Sequence, residues 1–159
     1  MLAAPAIPAT AEPQGAAPAR TAPAEARADA PSSVKGKTLR FTYGQRAGVR
    51  CRELLPSGNP APWGAWHALE GAAAYSYTFD ARNSCTLTEP GNPPTRISAA
   101  YFKDGRGKAT VQVAKQGADG GGQAEYRLTF TTPTSGVASC RIREMSRETE
   151  MTNIRFTLE

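Results

Sequence analysis

The chain has 159 residues, of which 40% are hydrophobic and 21% charged, with a formal net charge of +5. That length supports one domain with its own core and argues against two, and no apolar run approaches the roughly 18 residues of a membrane-spanning helix. Residues 1–34 carry a net charge of −1, whereas the remainder holds 17 basic against 11 acidic side chains, a balance that favours anionic partners, whether nucleic acid, phospholipid headgroups or acidic glycans.

The first 34 residues contain 13 Ala and 6 Pro. Proline at this frequency blocks a continuous helix, and alanine alone buries too little apolar surface to offset the entropy of ordering. Residues 1–34 therefore read as a disordered linker, and 35–159 as a single domain. Met1-Leu2 followed by Ala-rich sequence lacks the basic and long apolar regions of a signal peptide. The composition is that of a mature exported chain, so a periplasmic, cell-surface or secreted location is expected.

From Gly36 onward, short runs of alternating apolar and polar residues are separated by Gly, Pro, Asn and Asp, the pattern of an antiparallel all-β domain. Leu39, Phe41 and Tyr43 share one face. Tyr75, Tyr77 and Phe79 repeat the arrangement, as do Tyr126, Leu128 and Phe130. Each triplet is followed by a turn and a strand that carries a cysteine. RISAAYFK and KATVQVAK flank Asp104-Gly105-Arg106-Gly107, a hairpin signal, and the closing MTNIRFTLE places Ile154, Phe156 and Leu158 on one face. About nine strands of ordinary length are expected, in a meander that closes into a small barrel or folds into a two-layer sandwich, because both hide strand edges. Residues 60–74 space Trp63, Trp66 and Leu69 at three-residue intervals among good helix formers, which predicts one short helix plugging an end of the sheet structure with its indoles.

Alternation places Cys51, Cys85 and Cys140 on the core side of their strands. An exported domain with three cysteines is expected to form one disulfide and keep one buried thiol, with any of the three pairings open. No CxxC pair exists and His67 is the only histidine, so neither a metal nor another cofactor is expected.

The outward faces hold Arg40, Arg50, Arg52, Arg127, Arg141, Arg143 and Arg155, interleaved with Thr42, Thr129 and Thr157. If the last strand pairs beside the first, these arginines form a basic panel suited to sulfate, carboxylate or phosphate through the guanidinium fork; cross-strand pairs with Glu53 and Glu125 are the competing arrangement. Nucleic acid is disfavoured because the aromatics that would stack bases face inward. Trp63 and Trp66, if exposed, would instead stack on a sugar ring. Asp104 and Asp119 are the candidates for a catalytic carboxylate pair, although each precedes glycine where a turn is expected.

The run YRLTFTTPTSGVASCRI, with YSYTF and IRFTLE, is similar to exported bacterial proteins built from repeated Tyr-x-Tyr-Thr and Leu-Thr-Phe-Thr-x-x-Thr-Ser-Gly hairpins. Gly64-Ala65-Trp66 resembles the Gly-x-Trp element of lipocalin-like barrels, displaced from the first strand where that element belongs. The resemblance implies a β fold and export, and it carries no active site. The expected function is that of a non-catalytic exported or surface-associated binding or adhesion module for an anionic glycan or protein, with an acid hydrolase of surface protein or glycan and a structural assembly subunit as alternatives.

Overall fold

Alternating side chains draw the chain into nine strands: β1 (Thr38–Glu53), β2 (His67–Ala68), β3 (Ala74–Phe79), β4 (Ser84–Thr88), β5 (Thr95–Gly105), β6 (Lys108–Lys115), β7 (Gly122–Thr132), β8 (Ser135–Arg143) and β9 (Arg147–Leu158). The computed structural model describes residues 25–57, 59–69, 74–80, 84–115 and 121–159, without the side chains of 44, 45 and 115. Every pairing is antiparallel. β3 through β9 follow one another in space, β1 pairs with β3, and β9 returns to β1, which closes eight strands into a barrel. Of the barrel and the sandwich, the barrel is the arrangement formed.

β2 sits outside that ring of eight, on the upper half of β1. The amides of Ala61, Gly64 and Leu69 donate to the carbonyls of Glu53, Cys51 and Ala47. Residues 60–69 thus run extended along the edge of β1, and the helix expected over 60–74 is not formed among the described residues, 70–73 lying outside them. Edge pairing supplies the backbone partners that a helix would have supplied internally, and it satisfies β1 at the same time.

The interior is apolar. Leu39, Phe41, Val111, Phe130 and Ile154 are fully buried, and Phe41 stacks on Tyr126 at 4.5 Å between ring centroids and on Tyr75 at 5.3 Å. The exterior carries Arg40, Thr42, Arg155 and Thr157, all at least partly exposed, so the barrel has the reverse polarity of one that spans a membrane. β9 departs from strict alternation at Asn153, whose φ of 56° and register shift against β8 mark a bulge. Met151 and Ile154, three residues apart, consequently both point inward.

The two ends differ. At the lower end, Phe79 of β3, the β5–β6 turn at Arg106-Gly107 and Phe130 of β7 meet residues 25–36, which lie across the barrel as a strap. Ala30 and Val34 belong to the core at 2% and 5% exposure. Arg27 and Ala28 donate their amides to the Phe130 carbonyl, and the Tyr101 hydroxyl donates to the Pro31 carbonyl at 2.7 Å. Gly107, at φ 70°, is crossed so closely that an added Cβ would stand 2.5 Å from Ala26 and from the Ala28 carbonyl. The expected disordered linker therefore does not extend to residue 34: residues 25–34 pack on the domain, and 1–24 lie outside the described residues. Small side chains are what this seat accepts, which is why an Ala-rich segment can fill it.

Candidate functional site

The upper end is open. A cavity of about 570 Å³ descends into the barrel there, lined by Tyr43, Tyr75, Tyr77, Tyr126, Met151 and Glu89, with further apolar side chains from β4 to β8. It forms because alternation turns four neighbouring tyrosines into the interior, while the strap and the Phe130–Phe156 edge-to-face pair, at 4.9 Å, fill the other end. Its size falls within the range of small-molecule sites, as does its apolar and aromatic lining.

The phenols are not equivalent. Tyr77 and Tyr126 share a buried hydrogen bond at 2.8 Å. The hydroxyl of Tyr75 is buried and has no hydrogen-bond partner among the described residues. The phenols of Tyr43 and Tyr126 stand near enough to interact with it and to affect its ionisation, but neither completes a well-formed hydrogen bond to it. Burial raises the pKa of Tyr75 and Tyr126 well above the usual phenol value, and that of Tyr77 and Tyr43 in the same direction. All four remain neutral hydrogen-bonding groups. An unpartnered buried hydroxyl costs about 1–3 kcal/mol, so Tyr75 marks the place where a guest has most to offer.

The arginines do not make the expected panel. Arg50 and Arg52 reach Glu150 and Glu148 at 2.6 and 2.5 Å, and Arg141 lies 3.7 Å from Glu148 and 4.0 Å from Glu150. The reason is register: Arg50 and Arg141 both face Glu150, and Arg52 and Arg143 both face Glu148. Glu148, only 5% exposed, is the one buried charged side chain among those described. Arg127 pairs with Glu125 on its own strand. Arg40, Arg143 and Arg155 have no ion-pair partner among the described residues, but Arg40 and Arg155 belong to the lower half of the β1–β9 ladder and Arg143 to the upper end of the β8–β9 ladder.

Trp63 and Trp66 do not plug the core. Both are half-buried on the outer face, where the Arg50 guanidinium lies 4.6 Å from each indole and that of Arg52 lies 4.3 Å from Trp63. Edge pairing of residues 61–69 with β1 leaves the indoles outside, and cation–π contact anchors them there.

All three cysteines are free, so the expected disulfide is not formed. Cys85 and Cys140 face the core as anticipated, and burial pushes both thiols up to about 12, which makes them inert at neutral pH. Cys51 is exposed, 3.6 Å from the Thr149 hydroxyl. It keeps the inward parity of Val49. However, β4 ends at the level of Arg40 while β1 continues to Glu53, so the inward face at Cys51 looks into the open mouth.

Asp104 is exposed on the outer surface and accepts a hydrogen bond from Thr110. Asp119 lies outside the described residues. Lys115 and Gly121, which flank that segment, are at the opposite end of β6 from Asp104. His67 is exposed on β2, and no cluster of His, Cys, Asp or Glu suited to a metal occurs among the described residues. No described helix is long and apolar enough to cross a membrane.

A larger depression of about 840 Å³ lies on the outer face over β6 to β9, among Thr110, Gln112, Arg127 and Ser139, with the half-exposed ring of Phe102 on its border. The chain matches no protein-family model, no curated protein and no solved structure. Its function is read from its own geometry.

Proposed function

We propose that this protein is a non-catalytic binding protein that holds a small apolar or amphipathic molecule in the open end of its barrel, in keeping with an exported carrier or receptor module. The observation that carries this reading is the Tyr75 hydroxyl, buried without a well-formed hydrogen bond among the described residues, in the wall of a cavity of about 570 Å³. The arginines expected to recognise an anion support it indirectly, since Arg50, Arg52 and Arg141 are engaged by Glu148 and Glu150.

The test is a fluorescence titration with Nile red, a neutral dye that brightens in apolar surroundings, on the protein and on Val113→Trp, which places an indole in the cavity. Saturable binding that the tryptophan abolishes is expected. No binding, or binding equal in the two proteins, overturns the reading.

A second reading keeps recognition on the surface. The outer depression offers hydroxyl, amide and guanidinium groups beside the exposed ring of Phe102, a combination suited to a glycan. Binding on a glycan array that Phe102→Ala removes would support it, and a blank array would remove it.

A further inference from the structure

Taking the barrel cavity as the binding site, we infer that its ligand is an amphiphile with a cationic head, an amine or quaternary ammonium, and not a fatty acid. The cavity lining contains two carboxylates, Glu89 and Glu144, and no lysine or arginine among the described residues. Glu144 is offset by Arg147 at 3.6 Å. Glu89 is half-buried, and among the described residues its carboxylate meets only the side-chain amide of Asn92, at 3.4 Å. Among the described residues Glu89 is thus the carboxylate of the lining without an ion-pair partner, and its field reaches the phenols of Tyr43 and Tyr77 within.

The chemistry of the wall agrees with that charge. Aromatic faces attract cations, and a phenol oxygen accepts hydrogen bonds as readily as it donates them, so Tyr75 can take an ammonium N–H. A carboxylate head would meet Glu89 with like charge, and among the described residues the cavity lining holds no guanidinium or ammonium to pair with it. The acidic mouth is set in a chain of net charge +5. Non-specific attraction would thus favour the fatty acid, and a preference for the amine must come from the site.

Displacement of Nile red by dodecylamine, dodecanol and dodecanoate, each below its micelle-forming concentration at neutral pH, tests the inference on the intact protein and on Glu89→Gln. The amine is expected to displace the dye at about tenfold lower concentration than the carboxylate, with the alcohol between them. Glu89→Gln should shrink that ratio several-fold and leave the alcohol unchanged. Equal or tighter binding of the carboxylate, or a ratio that Glu89→Gln does not alter, overturns it. Displacement by the alcohol without discrimination removes the cationic preference alone, whereas failure of Nile red to bind removes the cavity reading and this inference together.

Discussion

The two ends of the barrel are built from the same alternating strands and reach opposite outcomes. The lower end is sealed by phenylalanine pairs and a strap of small residues, and the tyrosines at the upper end surround a cavity. The difference lies in what crosses each opening. Below, the strap adds Ala30 and Val34 to the core and satisfies the Phe130 carbonyl. Above, β1 and β9 continue past β4 with no counterpart of the strap among the described residues. Stability is concentrated at one end, which leaves the other free to carry polar groups that folding alone does not need.

Alkali should break this arrangement most completely, and from the upper end. All five tyrosines and both core thiols have pKa values raised by burial, with Tyr101, Cys85 and Cys140 at about 12. The unfolded chain loses these protons near the ordinary values of 9.0 for the thiols and 10.0 for the phenols, while the folded chain retains them. Stability is therefore full below pH 9, falls as pH rises towards 12, and does not recover above it. Phenolate absorbance at 295 nm should rise in one step together with loss of the β circular dichroism signal. A separate phenolate step near the ordinary value, with the fold intact, would show that the tyrosine cluster is wet.

Cavity-forming substitutions sharpen the contrast. Phe156→Ala at the sealed end should cost about 3–5 kcal/mol in urea unfolding, and Met151→Ala, which borders the open cavity, about 2 kcal/mol. Equal losses would mean that the two ends are equally well packed. On the outside, Arg52→Ala leaves the buried Glu148 with only the more distant Arg141, and should cost about 3 kcal/mol. Arg127→Ala, an exposed pair, should change stability by less than about 0.5 kcal/mol.

Gly107→Ala should destabilise by about 1–3 kcal/mol, since the new Cβ meets the strap and the positive φ disfavours it. Limited proteolysis should then cut within residues 25–36 while Nile red binding persists. Loss of binding would show that the strap supports the cavity from below. Tyr75→Phe should change stability by no more than about 1 kcal/mol, in the favourable direction, because it removes a buried hydroxyl without a hydrogen-bond partner among the described residues. The same change should weaken displacement of Nile red by dodecylamine.

Most of the barrel was legible in the sequence because period-two alternation is a local signal. Phe41, Tyr77, Phe130 and Phe156 face inward as their spacing predicts. What failed did so for non-local reasons. Trp63 and Trp66 have helical spacing, but the free edge of β1 captured their segment. Cys51 has the parity of a core residue, but its surroundings depend on how far β4 extends. The strap has no periodicity at all, since its fit depends on the small volume left above Gly107. The arginines were correctly placed outward, yet their neutralisation by Glu148 and Glu150 is a matter of strand register, which alternation alone does not specify. The cavity was the least accessible feature: an interior void is the difference between the volume enclosed by eight strands and the volume of the side chains within, and no single segment encodes it.

The closing of β1 on β9 also dictates the order in which the molecule can be completed. Residues 25–36 and β1 are synthesised well before their partners, Gly107, Phe130 and Arg147–Leu158. Leu39 must wait for Leu158. Contacts this distant in sequence make for slow folding, on the order of milliseconds to seconds, and until β9 arrives both β1 and β8 expose edges able to recruit another chain. The ring that hides every edge in the finished barrel thus makes the folding chain most vulnerable just before β9 is added.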